Sequence, residues 1–202
     1  ARERGLRALG TLGSGNHFLE LQTVGKTVDA ETAEAWGLYE GQLVAMIHSG
    51  SRGLGHQVCS DHVRALEGRY KAQGNQWVDE EWGYSLADRQ LASAPFHSKE
   101  GQSYFDAMNA AANFAVANRS ALAHRLREVL RLELGTDGEA RVLYDVAHNI
   151  AKVEKHTIDG KVCTCCVHRK GATRAFGGDH SDVTAAYGKS GQPVLVPGDM
   201  GT

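Results

Sequence analysis

Apolar and polar residues alternate through Phe18-Leu19-Glu20-Leu21-Gln22-Thr23-Val24, the period-two pattern of a strand with one wet face. Leu43-Val44-Ala45-Met46-Ile47 is apolar throughout, which predicts a buried strand. Past Ser49-Gly50-Ser51-Arg52-Gly53 the period turns helical, with Val58, His62, Ala65 and Leu66 on one side. The stretch from Gly68 to Pro95 shows no period and reads as irregular around Trp77 and Trp82. Glu100 to Leu134 is strongly helical. Tyr104, Met108, Ala111, Ala112 and Ala115 form one stripe, and Leu122, Leu126, Val129 and Leu130 form another. After the turn at Gly135-Thr136-Asp137-Gly138, residues Ala140 to Val146 predict a strand. Asp159-Gly160 between Ala151–His156 and Lys161–His168 predicts a tight hairpin. Strands, helices and a hairpin in this order imply an α+β fold with mixed sheet pairing and packed helices.

Composition narrows the function classes. The 202 residues are 42% hydrophobic and 23% charged, an ordinary globular balance, and no apolar run reaches the roughly 20 residues of a membrane helix. No basic leader followed by an apolar stretch opens the chain. Formal net charge is −2, so nucleic-acid binding requires a local basic patch. Four cysteines are too few for a disulfide scaffold, which makes a reducing cytoplasm the expected compartment. Glycine is abundant (24, against 3 prolines) and clusters beside histidines, as in loops folded closely around a small ligand.

Three histidines share one setting, a strand end beside small or amide residues: Asn16-His17 after Gly13-Ser14-Gly15, His48 before Ser49-Gly50-Ser51-Arg52, and His148-Asn149 after Asp145-Val146-Ala147. Neutral imidazole is the commonest metal ligand, and three converging rings would hold a divalent cation with positions open for substrate. A hydrogen-bonded core or cap histidine is the plainer reading of each alone. The glycine-rich Gly10–Gly15 and Ser49–Gly55 supply backbone N–H groups for an anion, although neither has the order of a P-loop or dinucleotide fingerprint. His168-Arg169-Lys170-Gly171-Ala172-Thr173-Arg174 concentrates cations suited to phosphate, where a solvated loop is the alternative. Cys163-Thr164-Cys165-Cys166 lacks a second cysteine pair and, with alternating side-chain directions, reads as strand rather than zinc site.

Taken in order, Gly10–Glu20, His48–Gly53, Asp145–Ala151, His168–Phe176 and Gly191–Gly201 resemble the signatures of the RtcB family of RNA ligases. The resemblance spans nearly the whole chain, which reads as the central part of a single, longer RtcB-like catalytic domain. It implies an α+β catalytic fold and a GTP-dependent, Mn2+-dependent enzyme. That enzyme joins RNA 3′-phosphate or 2′,3′-cyclic phosphate ends to 5′-hydroxyl ends through a guanylylated histidine, in tRNA splicing or RNA repair. It further implies His17, His48 and His148 as ligands in a two-Mn2+ site. Asn16, Glu20, Asn149, Gly198 and Asp199 would contact the nucleotide, with Glu20 reading guanine and Asp199 standing where the family commonly has serine. Arg52, Arg169, Lys170 and Arg174 would lie along the RNA or triphosphate path. The guanylylated histidine is expected beyond Thr202 and the remaining metal ligands before Ala1, so the segment alone is expected not to ligate RNA. Archease is an implied partner. A metal-dependent phosphoesterase and a non-catalytic RNA- or nucleotide-binding remnant are the competing readings.

Overall fold

The computed structural model describes residues 1–135 and 140–196. Its elements are α1 (Arg2–Ala8), β1 (Phe18–Thr23), α2 (Ala30–Trp36), β2 (Leu43–His48), α3 (Arg52–Arg69), β3 (Lys71–Gln73), β4 (Gln76–Asp79), β5 (Tyr84–Leu86), α4 (Lys99–Leu134), β6 (Asn149–Ile158) and β7 (Lys161–Lys170). The class is α+β, as expected. The strands are divided over three small sheets, β1-β2, β3-β4-β5 and β6-β7, and the second and third are antiparallel throughout. The chain forms two compact units, Ala1–Glu20 with Ala45–Ala140, and Leu21–Val44 with Arg141–Thr202.

In the first unit α3 packs against α1 and α4. Gly5 of α1 is buried against Leu54, where a Cβ would stand 2.7 Å from the Leu54 Cδ1. The α3–α4 seam includes the His62 and Tyr104 rings, 5.5 Å apart. Ser98 caps α4, its hydroxyl accepting from the Gly101 N–H at 3.0 Å. Over its 36 residues α4 runs about 54 Å and buries Ala111, Ala115, Asn118 and Leu122, a stripe at steps of four, three and four. The alanine stripe is therefore core, as expected. The expected second stripe continues poorly, because Val129 is 53% exposed.

The stretch read as irregular is instead the β3-β4-β5 meander. Its strands of three or four residues are too short, and its first too wet, to show a period. Arg69 knits it to the helices, bonding Asp79 (2.8 Å), Glu81 (2.6 Å) and Glu100 (3.3 Å) while its guanidinium lies 3.9 Å over the Trp82 ring. Burial raises the Asp79 pKa, but the Trp82 N–H and Arg69 outweigh it and hold the carboxyl below its usual range.

β2 is not buried throughout: Leu43 and Ala45 are exposed and Val44, Met46, Ile47 and His48 half-buried, and among the described residues its sheet has β1 alone beside it. The strand expected over Ala140–Val146 does not form: residues 140–146 lie in no ladder. Side chains take backbone carbonyls of the second unit there, Arg141 donating to Trp36 O at 3.0 Å and the Tyr187 hydroxyl to Leu143 O at 2.5 Å. The hairpin is longer than expected, pairing Asn149 with Lys170 through to Ile158 with Lys161. Asp159 (φ 49°) and Gly160 (φ 75°) form its left-handed turn. The four cysteines are free, and Cys163, Cys165 and Cys166 sit on β7 as strand residues. No helix among the described residues is long and apolar enough to cross a membrane.

Candidate functional site

The first unit brings three of the expected residues together. His17 directly precedes β1 and His48 ends β2, so the start of one strand and the end of the other place the two rings 5.7 Å apart, tilted by 58°. Phe18 meets the His48 ring edge-on at 5.3 Å, an apolar side to the pair. Arg52 opens α3 with φ 50°, an uncommon left-handed backbone for arginine. From there its Nη1 lies 3.2 Å from His17 Nδ1 and its Nε 3.4 Å from the Thr11 hydroxyl. A guanidinium only donates, so in this hydrogen bond the His17 Nδ1 carries the lone pair. Gly13, at φ 112°, closes the loop under this contact: a Cβ there would collide with the Arg52 guanidinium and His17 Nδ1.

Both glycine-rich loops are tied to α4. Asn118, fully buried, accepts from the Gly10 N–H (2.7 Å) and the Thr11 N–H (3.2 Å). Its Nδ2 faces Thr11 O, Ser49 Oγ and Gly50 O at 3.1 to 3.2 Å. Ser49 donates onward to Leu12 O at 2.7 Å, and Arg119 and Arg125 bond Ser49 O and Gly10 O at 3.2 and 2.7 Å. None of these α4 residues was among the expected site residues. The signal was present: one asparagine occupies a position of the alanine stripe where the spacing demands an apolar side chain.

Asn16 and Glu20 are exposed in the first unit, on either side of His17. The second unit holds His148, half-buried just before β6, and it joins two of the resembling blocks through the hairpin. Asn149 pairs with Lys170, and its side-chain oxygen accepts from the Gly171 N–H at 2.9 Å. Lys170 is exposed. Arg169 is bound two-handedly to Glu154, at 2.7 and 2.8 Å, and Glu154 is also 3.0 Å from His156 Nε2. The Arg169 hydrogen bonds, against the opposing effect of burial, draw the Glu154 pKa down to about 2, and Glu154 in turn raises that of Arg169. Arg174 lies over Phe176 at 5.2 Å and 3.5 Å from Asp182, while His180 stacks on Phe176 at 3.8 Å. Gly198 and Asp199 lie outside the described residues. Among the described residues no three His, Cys, Asp or Glu side chains gather into a group able to hold a metal ion. His17 and His48 supply two nitrogen donors of the kind divalent transition metals accept, part of a coordination set.

The family described as tRNA-splicing ligase RtcB matches residues 1–202. The chain is 54% identical over 205 residues to a tRNA-splicing ligase RtcB of Thermococcus kodakarensis, covering all of this chain and 41% of that protein. Against the tRNA-splicing ligase RtcB of Archaeoglobus fulgidus identity is 52% over 205 residues, again with all of this chain and 41% of the relative covered. Against the RNA-splicing ligase RtcB of Mycobacterium bovis it is 50% over 202 residues, with all of this chain and 44% of the relative covered. The chain thus spans less than half the length of these curated relatives, and by the family match over its full length it belongs to the RtcB family of tRNA-splicing ligases.

Proposed function

We propose that this chain is part of a cytoplasmic RNA ligase of tRNA splicing or RNA repair, one that uses GTP and Mn2+ to join 3′-phosphate or 2′,3′-cyclic phosphate ends to 5′-hydroxyl ends. The observation that carries the reading is the His17–His48 pair, 5.7 Å apart and held against Arg52 between two glycine-rich loops. Phosphoryl transfer needs little covalent chemistry from a protein beyond alignment and charge neutralisation. His17, His48 and His148 are assigned to Mn2+, which when bound neutralises charge on phosphate oxygens and aligns the reacting groups.

The chain's own residues supply the rest. Asn16 and Asn149 bond the nucleotide phosphates, and the exposed Glu20 carboxylate accepts from guanine N–H groups. Gly198 and Asp199 belong to the nucleotide contacts. Arg52 and Lys170 offer donors to the triphosphate or the RNA, as do Arg174 and those N–H groups of Arg169 that Glu154 leaves over. No residue of this chain is assigned the covalent guanylate. Archease is the candidate activating partner.

The test is made in the protein that carries this chain. An RNA with 3′-phosphate and 5′-hydroxyl ends should be joined only when GTP and Mn2+ are both added, and Glu20→Ala should lower the use of GTP at least about tenfold. Release of inorganic phosphate without nucleotide would replace this reading with a phosphoesterase, and RNA binding without chemistry would replace it with a binding module.

A further inference from the structure

Asn118 has no part in the family resemblance, lies on neither loop and touches neither histidine ring in any contact described above, yet its amide is the junction of both loops. We propose that Asn118 is a positioning residue that sets the separation of His17 and His48. The argument starts from hydrogen-bond valence. An amide side chain has two lone pairs on oxygen and two hydrogens on nitrogen. Here the oxygen is filled by the Gly10 and Thr11 N–H groups, and the nitrogen faces three acceptors, drawn from Thr11 in the first loop and from Ser49 and Gly50 in the second. Every valence is used, and the side chain is wholly buried.

A saturated, buried amide of this kind admits one arrangement of its neighbours, because any shift leaves a polar group unpaired without water. Thr11 is six residues from His17, and its hydroxyl faces the same Arg52 side chain that faces His17 Nδ1. Ser49 directly follows His48 and bonds Leu12 in the other loop. Asn118 therefore fixes both loops to one point on a rigid helix, and the loops carry the rings. Alanine or leucine would suit the helix and its stripe better, which marks the asparagine as serving the loops rather than α4. Asp cannot replace it: a carboxylate keeps the acceptor for Gly10 and Thr11 but turns acceptor toward acceptor at Thr11 O and Gly50 O.

This inference rests on the metal-ligand reading of the histidine pair only for its consequence, not for the geometry, and the experiment separates the two. The protein that carries this chain is labelled at histidine ring carbons and compared with Asn118→Ala, Asn118→Asp, the milder Ser49→Ala, and Leu122→Ala, which truncates the next buried side chain of α4, one turn on, and removes no hydrogen bond. The ring-to-ring nuclear Overhauser contact of His17 with His48 and their carbon shifts are read beside those of His62, which reports on the α3–α4 seam. Mn2+ affinity is read by electron paramagnetic resonance. The Asn118 variants should lose the His17–His48 contact and move both ring signals while leaving His62 in place. Ser49→Ala should move them less, and Leu122→Ala should leave them unchanged at a matched loss of melting temperature. Mn2+ should bind about 10–100-fold more weakly to the Asn118 variants. Ring signals that move with Mn2+ affinity unchanged support the positioning role and refute the pair as metal ligands. Ring signals that stay put in Asn118→Asp and Ser49→Ala, or that move equally in Leu122→Ala, overturn the proposal.

Discussion

At Gly13 the chain has no room for a methyl group, since a Cβ would strike both the Arg52 guanidinium and His17 Nδ1, and the backbone is left-handed besides. Gly13→Ala should therefore separate Arg52 from His17, lower stability by about 1–3 kcal/mol in chemical denaturation, and shift the His17 ring signal. Glu154 carries a pH signature. Its pKa is about 2 in the fold against about 4.3 in an unfolded chain, a depressed carboxylate. The stability it contributes, up to about 3 kcal/mol, is present above about pH 5 and is lost as pH falls toward 2. Glu154→Gln should flatten that acid limb and at pH 7 cost about 3 kcal/mol, because Arg169 at 12% exposure loses its carboxylate partner. Denaturation curves at about pH 7 and about pH 2 check both effects. His17 and His48 were legible in the sequence because glycines and a strand end flank each. Glu154 was not, since its importance comes from a partner fifteen residues away across a hairpin.

Among the elements, those with a long or punctuated pattern were readable. The α4 stripe, the helix after Ser51 and the Asp159-Gly160 turn stand where periodicity and turn chemistry place them. The hairpin joins the Asn149 and Lys170 blocks, so its turn matters to the site: Gly160→Ala, at φ 75°, should cost about 1 kcal/mol in a thermal melt without moving His17. The seven-residue helices α1 and α2 escaped because they fall just short of two helical turns, and the β3-β5 meander because strands of three or four residues hold at most two repeats of a strand pattern. Residues 140–146 failed in the other direction. Alternation there is real, but a strand needs a neighbour to pair with; instead the Tyr187 hydroxyl holds the Leu143 carbonyl and Arg141 reaches out to Trp36 O.

Over the chain as a whole, a net charge of −2 means that the RNA affinity proposed for it would come from a few placed cations rather than from bulk charge. Lys170, exposed at the end of β7, is the simplest of them. Lys170→Ala should lower the slope of log affinity for RNA against log salt by about one, with no change in melting temperature. Arg169→Ala should instead destabilise the hairpin, since it strands the Glu154 carboxylate at 3% exposure. The family was legible because its five blocks lie far apart in sequence yet in a fixed order. The loop-to-helix fastening was legible only as an asparagine interrupting the apolar spacing of α4, because its partners lie 68 to 108 residues away in sequence. The most direct measurement is RNA joining, with GTP and Mn2+ supplied, by the protein that carries this chain and by its His17→Ala and His48→Ala variants. The account predicts that each substitution lowers the rate of joining at least about a hundredfold while the fold and RNA binding persist. Joining at the unsubstituted rate in either variant would contradict it.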